Sequence, residues 1–84
     1  MIKSIYNVIW VDAIGNASYV TNFPGESNIY LSEDKKQGVE FPFTDEEIVC
    51  NGKLQKIVSI YKSCYKDVDG TFGVLFNRFE ECKA

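Results

Sequence analysis

Thr44 and Glu47, three residues apart and followed at once by Ile48, constrain this chain more than any other feature. A threonine hydroxyl can accept the backbone N–H of the residue three positions on, and the glutamate can reach back to the threonine's own N–H, so the pair marks the start of a helix. Asp45, Glu46 and Glu47 place negative charge at the positive end of the helix dipole, and Phe43 with Ile48 matches the hydrophobic staple that closes such a cap.

The residues that follow keep helical period. At about 100° per residue, Cys50, Leu54, Ile57, Val58, Ile60, Tyr61, Cys64 and Tyr65 fall within an arc of about 160°. Asn51, Gly52, Gln55, Lys56, Ser59, Lys62, Ser63 and Lys66 lie opposite, and Lys53 alone intrudes on the apolar arc. Asn51-Gly52 is also a strong hairpin signal, but the flanking residues alternate poorly, since Gln55 and Lys56 are adjacent polar residues and Ile57 and Val58 adjacent apolar ones. The expectation is one long amphipathic helix over about residues 45–66, with Gly52 on its solvent side.

The part before this helix reads as strands. Residues 2–11 are rich in Ile, Val, Tyr and Trp, and residues 12–18 supply a Gly15-Asn16 turn that returns the chain into residues 19–23 as a hairpin. Pro24-Gly25 breaks the second strand, residues 28–31 offer a short third, residues 32–38 form a charged turn, and residues 39–43 add an extended piece. After a turn at Asp67-Val68-Asp69-Gly70, residues 71–79 fit either period; Gly73 and the aromatic and β-branched content favour a strand. The fold class is therefore α+β in two layers, a mainly antiparallel sheet of 3–5 strands with the helix on one face.

Eighty-four residues make one domain, residues 1–84, with no repeat or linker. A chain of this size buries roughly 60 to 65% of its unfolded surface, which leaves no volume for an enclosed active site. In the first strand Tyr6, Val8 and Trp10 share one face, and Ile5, Ile9 and Val11 share the other. A single helix covers one sheet face, so an apolar second face calls for a dimer partner, another protein or a crossing loop.

Several chemistries are excluded or disfavoured by residue type. With no histidine, the usual general base and imidazole-ligated metals are absent. Cys50, Cys64 and Cys82 form no CxxC pair, and the first two fall on the helix's buried side without a base to activate them, so all three read as reduced, buried thiols. The acidic run at residues 45–47 is explained by capping. Asp67-Val68-Asp69-Gly70 opens like a calcium loop but has Phe72 where glycine and Arg78 where glutamate would be needed. Phosphate-loop glycine patterns are absent. No catalytic set, metal or cofactor is expected, nor a secretion signal or membrane span, and the compartment implied is the cytoplasm.

What remains is recognition. Charge is uneven: net −5 over residues 1–47, +4 over 48–66 and −2 over 67–84. The first expectation is a small non-enzymatic protein-binding module with Tyr6, Trp10 and Tyr19 as partner-binding anchors, because aromatic side chains with polar tips are enriched in interface hot spots. The excess of Lys over Arg, and of Ile and Asn over Ala, is what AT-rich codons produce. It suggests as a narrower form a phage-encoded inhibitor that masks a surface of a host or defence protein. The partner is another protein or a second copy in a homodimer. The alternative is a nucleic-acid-associated module presenting Lys53, Lys56, Lys62 and Lys66, disfavoured by the acidic overall charge.

Overall fold

A strand that is apolar on both faces belongs in the middle of a sheet, and the 11-residue β1 (Ile2–Asp12) takes that place. The computed structural model describes residues 2–66 and 69–81, and of Cys50 and Asn51 the backbone alone. Asp12 turns the chain by accepting Ile14 N–H (3.0 Å) and Asn16 N–H (2.9 Å) on its carboxylate, and β2 (Ala17–Val20) returns antiparallel against Ile9, Trp10 and Val11. β3 (Leu31–Ser32) adds outside β2, and β4 (Glu40–Phe43) pairs with Ser4 to Asn7. β5 (Gly70–Glu81) runs antiparallel along β1 over its whole length. Since β5 fills one edge of β1, β2 and β4 share the other, and Val39 N–H to Val20 C=O (2.9 Å) stitches the point where one gives way to the other. The result is the expected α+β architecture, a curled five-stranded antiparallel sheet with a helix packed against it.

The helical region begins where the capping box places it but is divided. α1 (Asp45–Asn51) ends at Gly52, and α2 (Lys53–Cys64) begins directly after it. Gly52 has φ +59°, ψ +28°, the left-handed conformation that a residue without Cβ adopts without penalty and that stops a helix. The single helix over residues 45–66 is thus corrected to two, because Gly52 is used as a break rather than tolerated inside a turn. Lys53, the intruder on the apolar arc, reaches back across the break to the Glu47 carboxylate.

α2 packs on the β1 face that carries Val8 and Trp10. Val8, Val20, Tyr61, Tyr65 and Phe72 form the buried cluster, with Trp10, Ile29, Phe41, Ile57, Val58 and Val74 packed around it. The buried stripe of α2 runs through Leu54, Ile57, Val58, Tyr61 and Tyr65, an arc of about 100° rather than 160°. Ile60 and Cys64 fall off its flank and are exposed. The expectation of a buried Cys64 is therefore corrected: its thiol is free and open to solvent. The Cys50 side chain, Cys82 and the Asp67-Val68 half of the expected turn lie outside the described residues.

Two tyrosines on this stripe use their polar tips inside the protein. Tyr61 donates to the Asn22 carbonyl (2.5 Å), while Asn22 Nδ2 donates to Tyr65 Oη (3.0 Å) and to Asn28 C=O (3.1 Å), and Asn22 Oδ1 accepts Tyr30 N–H (2.9 Å). Asn22 is buried, and through it residues 22–30 are fastened to α2. Burial, with smaller contributions from Tyr65 and Cys64, pushes the Tyr61 hydroxyl well above the usual tyrosine range.

The other face of β1 is closed differently. Asn7 donates to Val39 C=O (3.1 Å), and Gly38 approaches so closely that a Cβ there would stand 3.0 Å from Asn7 Nδ2 and 3.2 Å from Tyr19 Cβ. Next to it, Arg78 on β5 makes a two-pronged ion pair with Glu40 on β4 (2.6 and 3.0 Å), spanning β1 beside the buried Ile5. A crossing loop and an ion pair, rather than a second helix, cover this side.

Two substitutions test the packing. A Cβ at Gly70 would lie 2.5 Å from Trp10 Cε2, Trp10 Nε1 and the Val11 carbonyl oxygen, so Gly70→Ala is expected to lower the unfolding free energy by about 1–3 kcal/mol in urea titration and to shift the emission of the chain's single tryptophan. Tyr61→Phe strips the Asn22 carbonyl of its buried donor and is expected to cost about 1–3 kcal/mol by the same measurement.

Candidate functional site

The site is built by a one-residue irregularity. Pairing of β1 with β5 runs Ile5 to Arg78 and Tyr6 to Phe76, which leaves Asn77 as an extra residue on β5. In a regular strand Phe76 and Phe79, three apart, would point to opposite faces. The bulge restores the parity, so both emerge on the face of β1 that carries Tyr6, with ring centroids 4.9 Å apart. Phe76 also meets Tyr6 edge-on (5.7 Å), and Tyr6 meets the buried Phe43 (6.3 Å).

α1 closes one side. Its residues Asp45, Ile48 and Val49 face these rings, and together with Ser4, Tyr6, Phe76 and Phe79 they line an open groove of about 370 Å³. Val49 is 82% exposed and Phe79 68%, and Ile2, also exposed, extends the apolar surface along β1. Asp45 stands within the lining and Glu46 next to it is exposed, so the α1 side of the rim is acidic.

The cap that positions α1 is complete. Glu47 N–H donates to Thr44 Oγ1 (3.3 Å), and the Thr44 N–H (3.0 Å) and hydroxyl (3.1 Å) both donate to the Glu47 carboxylate. Lys53 adds a salt bridge to the other carboxylate oxygen. The Lys53 ammonium first, then the two Thr44 donors, pull the Glu47 carboxyl from about 4.5 down to about 2.

The anchors expected from sequence do not form one surface. Tyr6 lines the groove. Trp10 is half-buried against the core, with its ring over Gly70. Tyr19 pairs with Ile9 and lies on the opposite face, beside Gly38. The lysines also separate: Lys53 is engaged by Glu47, Lys56 lies with Gln55, Ser59 and Ile60 on the outer side of α2, and Lys62 and Lys66 flank the start of β5. Phe76, Phe79, Ile48 and Val49 were not singled out by sequence reasoning as a site, because their convergence depends on the bulge at Asn77.

Comparison with protein-family models, with curated proteins and with solved structures finds no match to this chain. Among the described residues, no helix is long and apolar enough to cross a membrane.

The cap gives a pH signature. Because the folded-state value of Glu47 lies below its unfolded value, its contribution to stability is full above about pH 4.5 and is lost as pH falls towards 2. Acid titration followed by amide NMR is expected to show loss of α1 signals in this window, and Glu47→Gln is expected to abolish that pH dependence while weakening α1 at neutral pH.

Proposed function

We propose that this chain is a small non-enzymatic protein-binding module that receives a segment of another protein in the groove between α1 and the end of β5. The observation that carries the reading is the solvent-open aromatic surface of Tyr6, Phe76 and Phe79, walled by Ile48 and Val49. Exposed apolar clusters of this kind on a small domain mark sites of association, and rigid aromatic rings set against one another are the side chains that dominate interface energetics. The acidic rim at Asp45 and Glu46 favours a segment whose apolar side chains are flanked by Lys or Arg. The narrower form of the proposal is an inhibitor, phage-encoded and acting in the cytoplasm, that masks a surface of a host or defence protein.

The alternative, a nucleic-acid-associated module, draws on the exposed Lys56, Lys62 and Lys66. Their placement on two sides of α2 offers no continuous basic track, which is why the protein-binding reading is preferred.

The test uses the immobilised chain and its Val49→Asp variant, in which a largely exposed side chain in the groove wall becomes charged without disturbing the core. Wild type is expected to retain one protein in stoichiometric amount from lysate of the source organism or its host, unaffected by nuclease. Val49→Asp, folded by circular dichroism, is expected to lose at least about 2 kcal/mol of binding free energy. Equal retention by both would overturn the groove, and loss on nuclease treatment would transfer the function to the lysines.

A further inference from the structure

The three rings of the groove do not form a flat apolar patch. Phe76 meets Tyr6 at 77° with centroids 5.7 Å apart, and Phe79 at 58° with centroids 4.9 Å apart, so the rings line the groove as angled walls. Phe79 is 68% and Phe76 43% exposed, which leaves ring surface of both open to solvent. An aromatic face carries negative potential, and rings gathered at an angle to one another are the arrangement that holds an organic cation.

The charges around these rings have one sign. Asp45 is the charged residue of the groove lining, which among the described residues contains no lysine or arginine. Glu46 and Glu47 follow it in the first turn of α1, and among the described residues only Glu47 of the three has a cation partner, Lys53. Three carboxylates less one ammonium leave a net charge of −2 at this end of α1, against about half a positive charge from the helix dipole. Arg78, next to Phe79 along β5, is turned to the opposite face and held there by Glu40 and Glu80. A cation entering the groove meets rings and a carboxylate together, with no like charge in the lining.

The lining also selects the kind of cation. A primary ammonium is strongly hydrated and carries three N–H donors, and beside Asp45 the groove offers mostly ring and aliphatic carbon from Tyr6, Phe76, Phe79, Ile48 and Val49. Methylation removes the donors and keeps the charge, so the methyl groups lie against carbon while the charge faces the rings and Asp45. We infer that the groove takes a methylated lysine side chain of the partner segment, with its trimethylammonium group against Phe76 and Phe79 and with Asp45 as counter-charge. The inference rests on the protein-binding reading and adds to it the modification that the bound segment carries.

Titration of the isotope-labelled full chain with N-acetyl-Nε-trimethyl-lysine amide, followed by amide NMR, tests it. Saturable shifts are expected at Tyr6, Ile48 and Phe76, with a Kd about tenfold below that of the unmodified lysine amide and of the neutral carbon isostere, whose tert-butyl group keeps the shape without the charge. Phe79→Leu keeps an apolar side chain at this exposed position but removes the ring, and is expected to raise the Kd about fivefold with an unchanged circular dichroism spectrum. Asp45→Asn leaves the Thr44 and Glu47 cap in place and is expected to raise it about threefold. Equal binding of the neutral isostere overturns the inference, as does equal binding of unmodified lysine or an absence of shifts at about 20 mM probe. Phosphocholine binding more tightly than the lysine probe overturns the protein source and moves the site to a lipid headgroup. A chain that captures its partner in a Val49-dependent way yet ignores charge and methylation on the probe loses this inference alone. One that binds the probe but captures its partner equally as Val49→Asp loses the reading beneath it, and the partner segment as source with it.

Discussion

The register between β1 and β5 governs where the aromatic side chains of this protein come to rest. Up to Phe76 the pairing is regular, and Phe72 and Val74 turn towards α2. Asn77 then inserts one residue, and the sides of the strand exchange parity. Phe79 joins Phe76 beside Tyr6, while Arg78 is delivered to the opposite face, where it grips Glu40 across β1. A single inserted residue therefore creates the groove on one face and the ion pair on the other. With regular pairing through this point Phe79 would fall opposite Lys3 on the face that carries Glu40, and Arg78 would fall opposite Ser4, among the rings.

A second dependence runs through Asn22. A domain of this size cannot hold a nine-residue surface loop by apolar burial alone, and the hydrogen bonds of Asn22 to Tyr30, Asn28 and Tyr65, with Tyr61 on its carbonyl, do the holding. This explains why Tyr rather than Phe stands at positions 61 and 65. Their rings stack with Phe72 as core members, and their hydroxyls, at the far end of the ring, reach the loop. The same hydroxyls account for the closed character of the surface where α2 meets residues 22–30.

Much of the fold was legible because its signals are local. The Thr44/Glu47 cap is written in adjacent residues, and the hairpin of β1 and β2 in a turn dipeptide between β-rich runs. The ambiguous places were those where local chemistry permits two outcomes. Asn51-Gly52 offered a hairpin or a helix interior, and the structure uses the left-handed glycine for neither, ending one helix and starting the next. Cys64 lies only about 60° from Tyr61 around α2, inside an arc drawn from hydrophobicity but outside the narrower strip the sheet covers. The groove was not legible, because the Asn77 bulge is a property of two strands separated by most of the chain, and nothing in either strand alone announces it. Tyr6 was expected as an anchor from its chemistry and lies in the groove lining, whereas its neighbours in space could not be read from the sequence.

The wall of the groove is only lightly supported by the core. α1 is a seven-residue helix, too short to persist on propensity, and neither Ile48 nor Val49 is fully buried. What holds it is electrostatic and local: the Thr44 donors and Lys53 acting on one carboxylate, with Lys53 supplied from beyond the Gly52 break. That arrangement makes the lysine's position on the apolar arc intelligible, since at the first residue of α2 it can reach back over the glycine to the first turn of α1. It also separates two requirements within one short chain. α2 is fixed against the sheet by tyrosines of the buried cluster, while α1 is tied down mainly by the part-buried hydrogen bonds of its cap and the exposed Lys53 salt bridge, so that its opening costs those contacts rather than the core.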